Sequence, residues 1–270
     1  MNNIFLKNVF LKTLKDNKFS LLAWSVGIIL YILMIMSFYQ SLGNTADYTQ
    51  LVSSFSPEML KMFMMEGGAN SKVSFLNGEL YSLMIPFFFL IFNVLFASGT
   101  IATEEKNGIL DLVLSTQIPR WKLLLEKFGA MLVFNLILGL MSFLGIWIGT
   151  IAFNVSLDMW NFAAISLSLT GFGIFFGSLG ICTSAIFGNK QLSLGITGGF
   201  GVLAYILHTM ALLSTDYANI QKISPFYYYI NSNPLINGLN VGDFSVLIIS
   251  AIVFLIIGLL IFQRRDLVTN

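Results

Sequence analysis

Few side chains in this 270-residue sequence have the chemistry of a catalyst. There is one cysteine, Cys182, and one histidine, His208, so the chain cannot form an internal disulfide, a cysteine-based metal cluster or a zinc site with three histidines. Ser98 and His208 are the residue types of a nucleophile and its base, but they lie toward opposite ends of their hydrophobic segments, and we expect no contact between them. A phosphate-binding loop, G-x-x-x-x-G-K followed by Ser or Thr, does not occur. We therefore predict no catalytic residue and no metal site, and we interpret Cys182 as a small buried apolar residue.

Charged residues are concentrated in one short segment, 102–127, between two long hydrophobic stretches. Glu104 and Glu105 end the first stretch, because two adjacent carboxylates cannot enter lipid. Gly108 can end a helix. Apolar residues then recur at the i, i+3, i+4 spacing of a short helix with one apolar face, formed by Ile109, Leu112 and Val113 and widened by Leu110 and Leu114. The segment is predicted to be a helix–break–helix elbow.

The elbow is predicted to restart as a helix at Pro119 and Arg120, since proline suits the first turn of a helix. Two roles are compatible with this pattern. The elbow could dock on a cytosolic protein and pass its motion to the membrane helices on either side. Alternatively, its short apolar helix lies on the lipid surface and its basic residues only fix the orientation of the chain. Physical chemistry alone favours neither role.

The composition indicates a protein embedded in a membrane. Hydrophobic residues make up 56% of the chain and charged residues 10%, whereas a soluble globular domain carries about 25% charged residues. The mean hydropathy is +0.83. A net charge of +1 gives no electrostatic basis for binding nucleic acid. We therefore exclude a soluble enzyme, a secreted disulfide-rich protein and a disordered chain.

Stretches without Asp, Glu, Lys or Arg predict where the chain crosses the membrane. About 20 apolar residues span the hydrocarbon core. Six stretches satisfy this requirement: 19–46, 80–103, 128–157, 159–189, 191–215 and 244–263. A seventh, 223–242, contains prolines, which lack a backbone N–H donor, and asparagines, whose amides need hydrogen-bond partners that lipid cannot supply. We predict that it is an interfacial or re-entrant segment packed against protein, with three tyrosine hydroxyls at the membrane–water boundary: Tyr227, Tyr228 and Tyr229.

The distribution of basic residues predicts that both termini are cytoplasmic. With six spans, all but three of the 14 basic residues fall on the side of the termini, the exceptions being Lys61, Lys72 and Lys222. An excess of Lys and Arg marks the cytoplasmic side. On that side, segment 1–18 is either an amphipathic helix on the inner leaflet or a basic leader that fixes topology. On the opposite side, loop 40–79 contains the helix start Ser56-Pro57-Glu58.

Glycines recur at four-residue spacing in three predicted spans. The pairs are Gly145 and Gly149, Gly173 and Gly177, and Gly195 and Gly199. Small residues at this spacing let membrane helices approach closely. We interpret all three pairs as packing surfaces.

The elbow segment resembles a known sequence element. The stretch EEKNGILDLVLSTQIPR, from Glu104 to Arg120, and the later Lys127 resemble the EE-x-x-G-T-L-E-L-L-L-S-T-P-V-S-R … K stretch of ABC-2-type transporter permeases. Two motifs before the last span also resemble that family: Ser224-Pro225-Phe226-Tyr227 and Asn233-Pro234-Leu235. Six spans and a long first outer loop are similar as well. One departure is Pro119, which stands two residues later than in the family pattern.

This resemblance implies a single ABC-2-type transmembrane domain over residues 1–270, all-α, in the plasma membrane of a bacterial cell. In that family two permease subunits pair, as a homodimer or a heterodimer, and each binds a cytosolic ABC ATPase subunit. The expected partners are therefore a second permease subunit, two copies of the ATPase subunit and the surrounding membrane lipid. The partner would use ATP and Mg, and this chain would bind no cofactor. The residues implied to couple to the ATPase are Glu104, Glu105, Gly108, Leu110, Leu112, Leu114 and Arg120.

The same resemblance implies an inward-facing cavity lined by the first, second and fifth spans, in an exporter. Candidate lining residues are Trp24, Phe87, Phe88 and Asn93; the alternative for each is an ordinary contact with lipid or a neighbouring helix. Because the spans carry no fixed charge, an apolar or amphipathic cargo is favoured, such as a drug, a peptide or a lipid-like molecule. The alternative class is a secondary carrier or channel without an ATPase partner, in which His208 would be the ionisable candidate.

Overall fold

The computed structural model describes residues 8–42, 50, 52–62, 72–108, 110, 118–213 and 219–265. Within these ranges the chain is helical and contains no β-strand. A π-helical turn spans Asn77–Tyr81 and a 3₁₀ turn spans Ile220–Ile223. The α-helices are α1 (Val9–Leu42), α2 (Pro57–Met62), α3 (Lys72–Leu76), α4 (Met84–Gly99), α5 (Ala102–Lys106), α6 (Arg120–Phe153), α7 (Met159–Phe187), α8 (Lys190–Leu213), α9 (Pro225–Ile230), α10 (Pro234–Asn237) and α11 (Val241–Arg264).

Six helical segments are long and apolar enough to cross a membrane: Val9–Tyr39, Val73–Lys106, Arg120–Phe153, Met159–Phe187, Lys190–Leu213 and Val241–Arg264. The predicted all-α class and the predicted number of spans are confirmed for the described residues. Val9, Leu110 and Phe262 belong to one apolar cluster. Both ends of the described chain therefore lie with the elbow at one end of the bundle, called the elbow end here. That this end faces the cytoplasm stays a prediction from the basic residues.

Helix α7 forms the centre of the bundle. It packs against α4, α6, α8 and α11, and 89% of its most apolar 18-residue stretch is buried inside the protein. Helix α1 packs mainly along α6 on one side of this centre. Such an arrangement requires close approach, which the small residues of α7 allow.

Two of the three predicted glycine pairs lie at helix contacts. A side chain at Gly145 would meet Ile32, and one at Gly149 would meet Met36, so this pair seats α1 on α6. Gly173 and Gly177 of α7 lie against α4 and α6 in the same way. The third pair differs, because nothing lies within 4 Å of the Cβ positions at Gly195 and Gly199. That pair faces open space on α8 and makes no packing contact within the described chain.

The described part of segment 1–18 is the start of α1. Residues from Val9 onward continue into the span as one helix of 34 residues, about 51 Å at 1.5 Å per residue. Its first backbone N–H groups need acceptors, and Glu126 Oε2 of α6 accepts from the N–H of Phe10 at 3.1 Å. Lipid could not supply this carboxylate, so the segment packs on α6. Residues 1–7 of segment 1–18 lie outside the described residues.

Loop 40–79 ends earlier than predicted. The predicted helix start is confirmed, because α2 begins at Pro57 and Ser56 Oγ accepts from the N–H of Met59 at 3.3 Å. The second span begins at Val73, however, and not near Leu80. Glu79 is tolerated within this helical segment because its side chain is exposed. Residues 43–49, 51 and 63–71 of the loop lie outside the described residues.

Segment 223–242 packs against protein, as predicted. Ser224 Oγ donates to the carbonyl of Ala204 at 2.8 Å, and Ala204 lies nine residues before the end of α8, about 14 Å along the helix. The chain therefore turns back along α8 before α9 begins. Tyr229 corrects one expectation: its side chain is fully buried and its hydroxyl donates to the carbonyl of Tyr81 at 3.1 Å. That hydroxyl finds its partner in the protein and not in interfacial water.

Candidate functional site

The elbow begins at a break between α4 and α5. Helix α4 ends at Gly99, and Thr100 and Ile101 form a turn before α5 starts at Ala102. Ser184 of α7 satisfies backbone groups on both sides of this break. Its hydroxyl donates to the carbonyl of Ser98 at 3.0 Å and accepts from the N–H groups of Ile101 at 3.3 Å and Ala102 at 3.1 Å. One hydroxyl thus uses its donor and both acceptor positions to hold the break against α7.

Alanine at position 184 is expected to lower the free energy of unfolding by about 1–2 kcal/mol, because buried backbone groups at the break would lose their partner. Ser178→Ala in the same helix is the matched control. Ser178 is equally buried, but its hydroxyl donates only to the carbonyl of Ile174 in its own helix, at 2.6 Å. Thermal unfolding in detergent should separate the two variants, and equal effects would show that Ser184 has no special role at the break.

The first elbow carboxylate, Glu104, lies between two lysines. Lys127 of α6 has a side chain only 2% exposed, and its ammonium group lies 2.7 Å from Glu104 Oε2. Lys127 Nζ also donates to the carbonyl of Thr100, at the break itself. Lys12 of α1 approaches Glu104 Oε1 at 3.7 Å. Glu104 therefore joins α5 to both α1 and α6.

The second carboxylate, Glu105, points to another part of the bundle. It pairs with Arg265 at the end of α11, with side-chain exposures of 8% for Glu105 and 16% for Arg265. Arg265 Nη1 also donates to the carbonyl of Ile186 near the end of α7, at 3.3 Å. Arg120, at the start of α6, donates to the carbonyls of Phe262 and Arg265 and so caps α11. The two adjacent glutamates thus tie α5 to different helices.

The two described ends of the elbow are at Gly108 and Pro119. Gly108 has a φ of +67°, in the left-handed region that glycine adopts without strain, and α5 ends just before it. Pro119 is extended, with ψ 145°, and α6 starts at Arg120. Leu110 is buried with Val9 at the elbow end. Ile109 and residues 111–117, including Leu112 and Leu114, lie outside the described residues.

The described coupling residues lie at the elbow end, and their role in coupling stays a prediction. Glu104, Glu105 and Arg120 contact other helices of this chain, and any contact with an ATPase stays a prediction. Sequence reasoning missed Lys127, Ser184 and Arg265. In the sequence analysis, Lys127 was one of the basic residues that indicate topology and the last residue of the family-like motif, with no structural role assigned to it. Its position seven residues after the start of a membrane helix, about two turns into the bundle, was the available signal that it needs a buried partner.

The four candidate lining residues fall into separate environments. Trp24 and Phe88 pack edge to face with ring centroids 6.1 Å apart, and both border an apolar recess of about 210 Å³ between α1 and α4. Phe87 faces the other way, toward Tyr205, with centroids 5.2 Å apart. Asn93 is fully buried inside the bundle. The structure therefore brings only Trp24 and Phe88 together at one surface.

Asn93 belongs to a polar clasp between α4 and α6. Its Nδ2 donates to Asn135 Oδ1 at 2.8 Å, and Asn135 Nδ2 donates back to Asn93 Oδ1 at 2.9 Å. Side chains at Gly173 and Gly177 would collide with these amide oxygens. The glycines of α7 therefore leave the space in which the two amides pair, so that neither of these amides is left unsatisfied in the apolar interior.

The described residues offer no alternative chemistry. No group of three or more His, Cys, Asp or Glu side chains among them could hold a metal ion. Ser98 lies at the elbow end beside Ser184, whereas His208 lies 18 residues into α8 from that end, about 27 Å along the helix. The two side chains are therefore too far apart to act as a nucleophile and its base.

Comparison with known proteins finds one family that matches nearly the whole chain. The family profile described as "ABC-2 family transporter protein" matches residues 7–267. A protein of Bacillus subtilis (strain 168), named "Uncharacterized protein YhcI", is 25% identical over 201 residues. That alignment covers 66% of this chain and 64% of the relative, so the chain spans less than two thirds of the relative's length. The family match includes the elbow, the six spans and segment 223–242.

Proposed function

Because the chain belongs to the ABC-2 family of transporter proteins, we propose that it is the membrane subunit of an ATP-driven exporter and takes its energy from a cytosolic ATPase. Its six apolar helices and its family make it a multi-pass component of membrane transport. The finer assignment depends on the elbow. An ATP-driven transport subunit without a phosphate-binding loop must receive the work of ATP hydrolysis from a partner, and the elbow offers a place to receive it.

One observation carries this proposal: α5 is bonded to several long helices at once. Glu104 joins it to α1 and α6, and Glu105 joins it to α11. Ser184 holds its first turn to α7. A force applied beyond Gly108 would therefore reach helices on both sides of the bundle through short polar contacts.

The proposed assembly contains two permease subunits and two copies of the ATPase, with ATP and Mg held by the ATPase. Support for a second permease comes from α8. Its pair Gly195 and Gly199 has open space around it, beside exposed apolar residues such as Leu192 and Ile196. Another membrane helix could approach this face closely.

The proposed cargo is apolar or amphipathic. Trp24 and Phe88 give the recess between α1 and α4 an aromatic wall, and its other lining residues, Ala23, Gly27 and Ile28, carry no polar side chain. An inorganic ion would require charged or carbonyl ligands. Export as the direction follows the family resemblance of the elbow sequence.

The test is purification of the tagged chain from its native membrane in mild detergent, with mass spectrometry and an ATPase assay. We expect a partner with a phosphate-binding loop to co-purify, and the complex in vesicles to move a fluorescent lipid analogue only with ATP. Glu104→Lys should abolish this movement without preventing membrane insertion, because it places a third ammonium group beside Lys12 and Lys127. A chain that is isolated alone and moves the lipid analogue without ATP would contradict the proposal and favour a secondary carrier.

A further inference from the structure

We infer that Lys127 is the positioning residue of the elbow: its buried ammonium group fixes the direction in which α5 leaves the bundle, so that motion of the elbow is passed on to α6. This inference rests on the proposed coupling function. Lys127 touches no cargo and no nucleotide. It acts through Glu104 and through the backbone of the α4–α5 break.

The contacts of Lys127 lie on both sides of the point where α5 could bend. Its ammonium group bonds to the carbonyl of Thr100, within the break, and to Glu104, one turn further on. The side chain of Lys127 is 2% exposed and that of Glu104 19%, so the ammonium group itself is shielded from water. A buried ammonium group keeps its charge only with such partners, so α5 and Lys127 hold one another in place.

Packing alone does not set the direction of α5. A cavity of about 260 Å³ lies beside Glu104 and Lys127 and is bordered by Thr13 of α1, Gly99 of α4 and Lys190 of α8. This space leaves room for α5 to move toward α1. The polar contacts of Lys127 therefore supply the restraint that packing does not.

Two attachments fix the direction of a short helix, whereas one leaves a pivot. Successive residues of a helix point about 100° apart, so Glu104 and Glu105 reach different partners. Glu105 pairs with Arg265, whose carbonyl is in turn held by Arg120. Arg120 and Lys127 lie seven residues apart on the same face of α6. Contacts thus run in a closed circuit from Glu105 through Arg265 and Arg120 along α6 to Lys127 and Glu104.

Loss of Lys127 opens this circuit at one point. Helix α5 would stay attached through Glu105 and, at the break, through Ser184, while Glu104 would keep the more distant Lys12 at 3.7 Å. The segment beyond Gly108 would still be presented to the ATPase. We therefore expect a variant without Lys127 to bind the ATPase but to transmit its motion poorly. A residue with a merely structural role would instead change stability and transmission together.

The experiment uses the complex of this chain with its co-purified ATPase in lipid nanodiscs. Cys182→Ser removes the native cysteine, and Ile151→Cys, at an exposed position on α6 away from the elbow end, carries one environment-sensitive fluorophore. The readout is the fluorescence change when ATP and vanadate trap the ATPase. The variants are Lys127→Met, the double variant Lys127→Met/Glu104→Gln, and Lys122→Met as the matched control. Lys122 is on the same helix and also pairs with a glutamate, Glu126, but its side chain is 47% exposed.

We expect the labelled complex with native Lys127 and the Lys122→Met complex to give the same fluorescence change. In both Lys127 variants the fluorescence change should be at least tenfold smaller, although the ATPase stays bound. The double variant separates positioning from stability. It removes both charges of the buried pair and should recover most of the thermal stability that Lys127→Met loses.

Recovery of the fluorescence change by the stable double variant would overturn the positioning role, as would a full change in Lys127→Met. Loss of the signal in Lys122→Met would overturn it too, because any lysine of α6 would then matter. If the chain with all native lysines binds no ATPase at all, the proposed function fails, and the positioning role fails with it.

Discussion

Alanine at position 173 is expected to lower the free energy of unfolding by about 2–4 kcal/mol, although alanine is a better helix former than glycine by about 1 kcal/mol. The added methyl group would collide with Asn135 Oδ1 and lie 2.9 Å from Phe89 Cδ1. Asn135 is fully buried and has no space to withdraw into. Its bonds to Asn93 would break, and the two amide oxygens would lose their donors in the apolar interior. Thermal unfolding of the detergent-solubilised protein measures the loss.

Gly199→Ala is the matched control for this substitution. It makes the same chemical change in a membrane helix, but nothing lies within 4 Å of the new methyl group. Unchanged or slightly higher stability is expected. A second check is the double variant Gly173→Ala/Asn135→Ala, which removes the atom that the methyl group strikes and should lose less than the sum of its single variants. Equal stability of Gly173→Ala and Gly199→Ala would show that the clasp tolerates the methyl group.

Charge reversal at Glu105 is expected to have the second large effect, a loss of about 3–5 kcal/mol together with loss of ATP-driven transport. Glu105→Lys would set an ammonium group against Arg265, where both side chains are mostly shielded from water. The repulsion would detach α5 from the end of α11. Stability in detergent and ATP-dependent transport in vesicles are measured on the same preparation.

Lys106→Glu is the stability control, because it reverses a charge on the neighbouring residue, whose side chain is exposed. It should leave the unfolding temperature unchanged. The exchanged pair Glu105→Lys/Arg265→Glu should recover part of the lost stability. Full recovery is not expected, since a glutamate at position 265 cannot donate to the carbonyl of Ile186. A Glu105→Lys protein as stable as the parent would contradict the role given to this ion pair.

Features that depend on local chain chemistry could be read from the sequence. The six spans follow from the absence of charges over about 20 residues, which no other arrangement explains so simply. Gly108 at the end of α5 and Pro119 before α6 were predictable, because glycine permits backbone conformations that other residues avoid and proline fixes its own φ angle. The start of α2 at Pro57 is a signal of the same kind.

Features that depend on distant partners could not be read in this way. A lysine that marks the cytoplasmic side and a lysine buried in an ion pair look alike in a sequence, and only the fold places Thr100 and Glu104 beside Lys127. An amphipathic stretch can likewise pack on lipid or on a neighbouring helix. Here Glu126 of α6 accepts a hydrogen bond from the backbone N–H of Phe10, so the start of α1 contacts α6. The burial of Tyr229 depends on Tyr81, which is distant in the sequence.

The central position of α7 also has a consequence for how the protein is made. The most apolar 18-residue stretch of α7 has a mean hydropathy of 1.7, against 3.1 for that of α11. Only 17% of the α11 stretch is buried inside the protein. Left alone in lipid, α7 would expose several serines and threonines, so it depends on neighbours soon after it leaves the ribosome. Two of them, α4 and α6, precede it in the chain. Two of the four packing partners of α7 are therefore already synthesised when α7 enters the membrane. Helix α11 is stable in lipid on its own and can pack onto the bundle last.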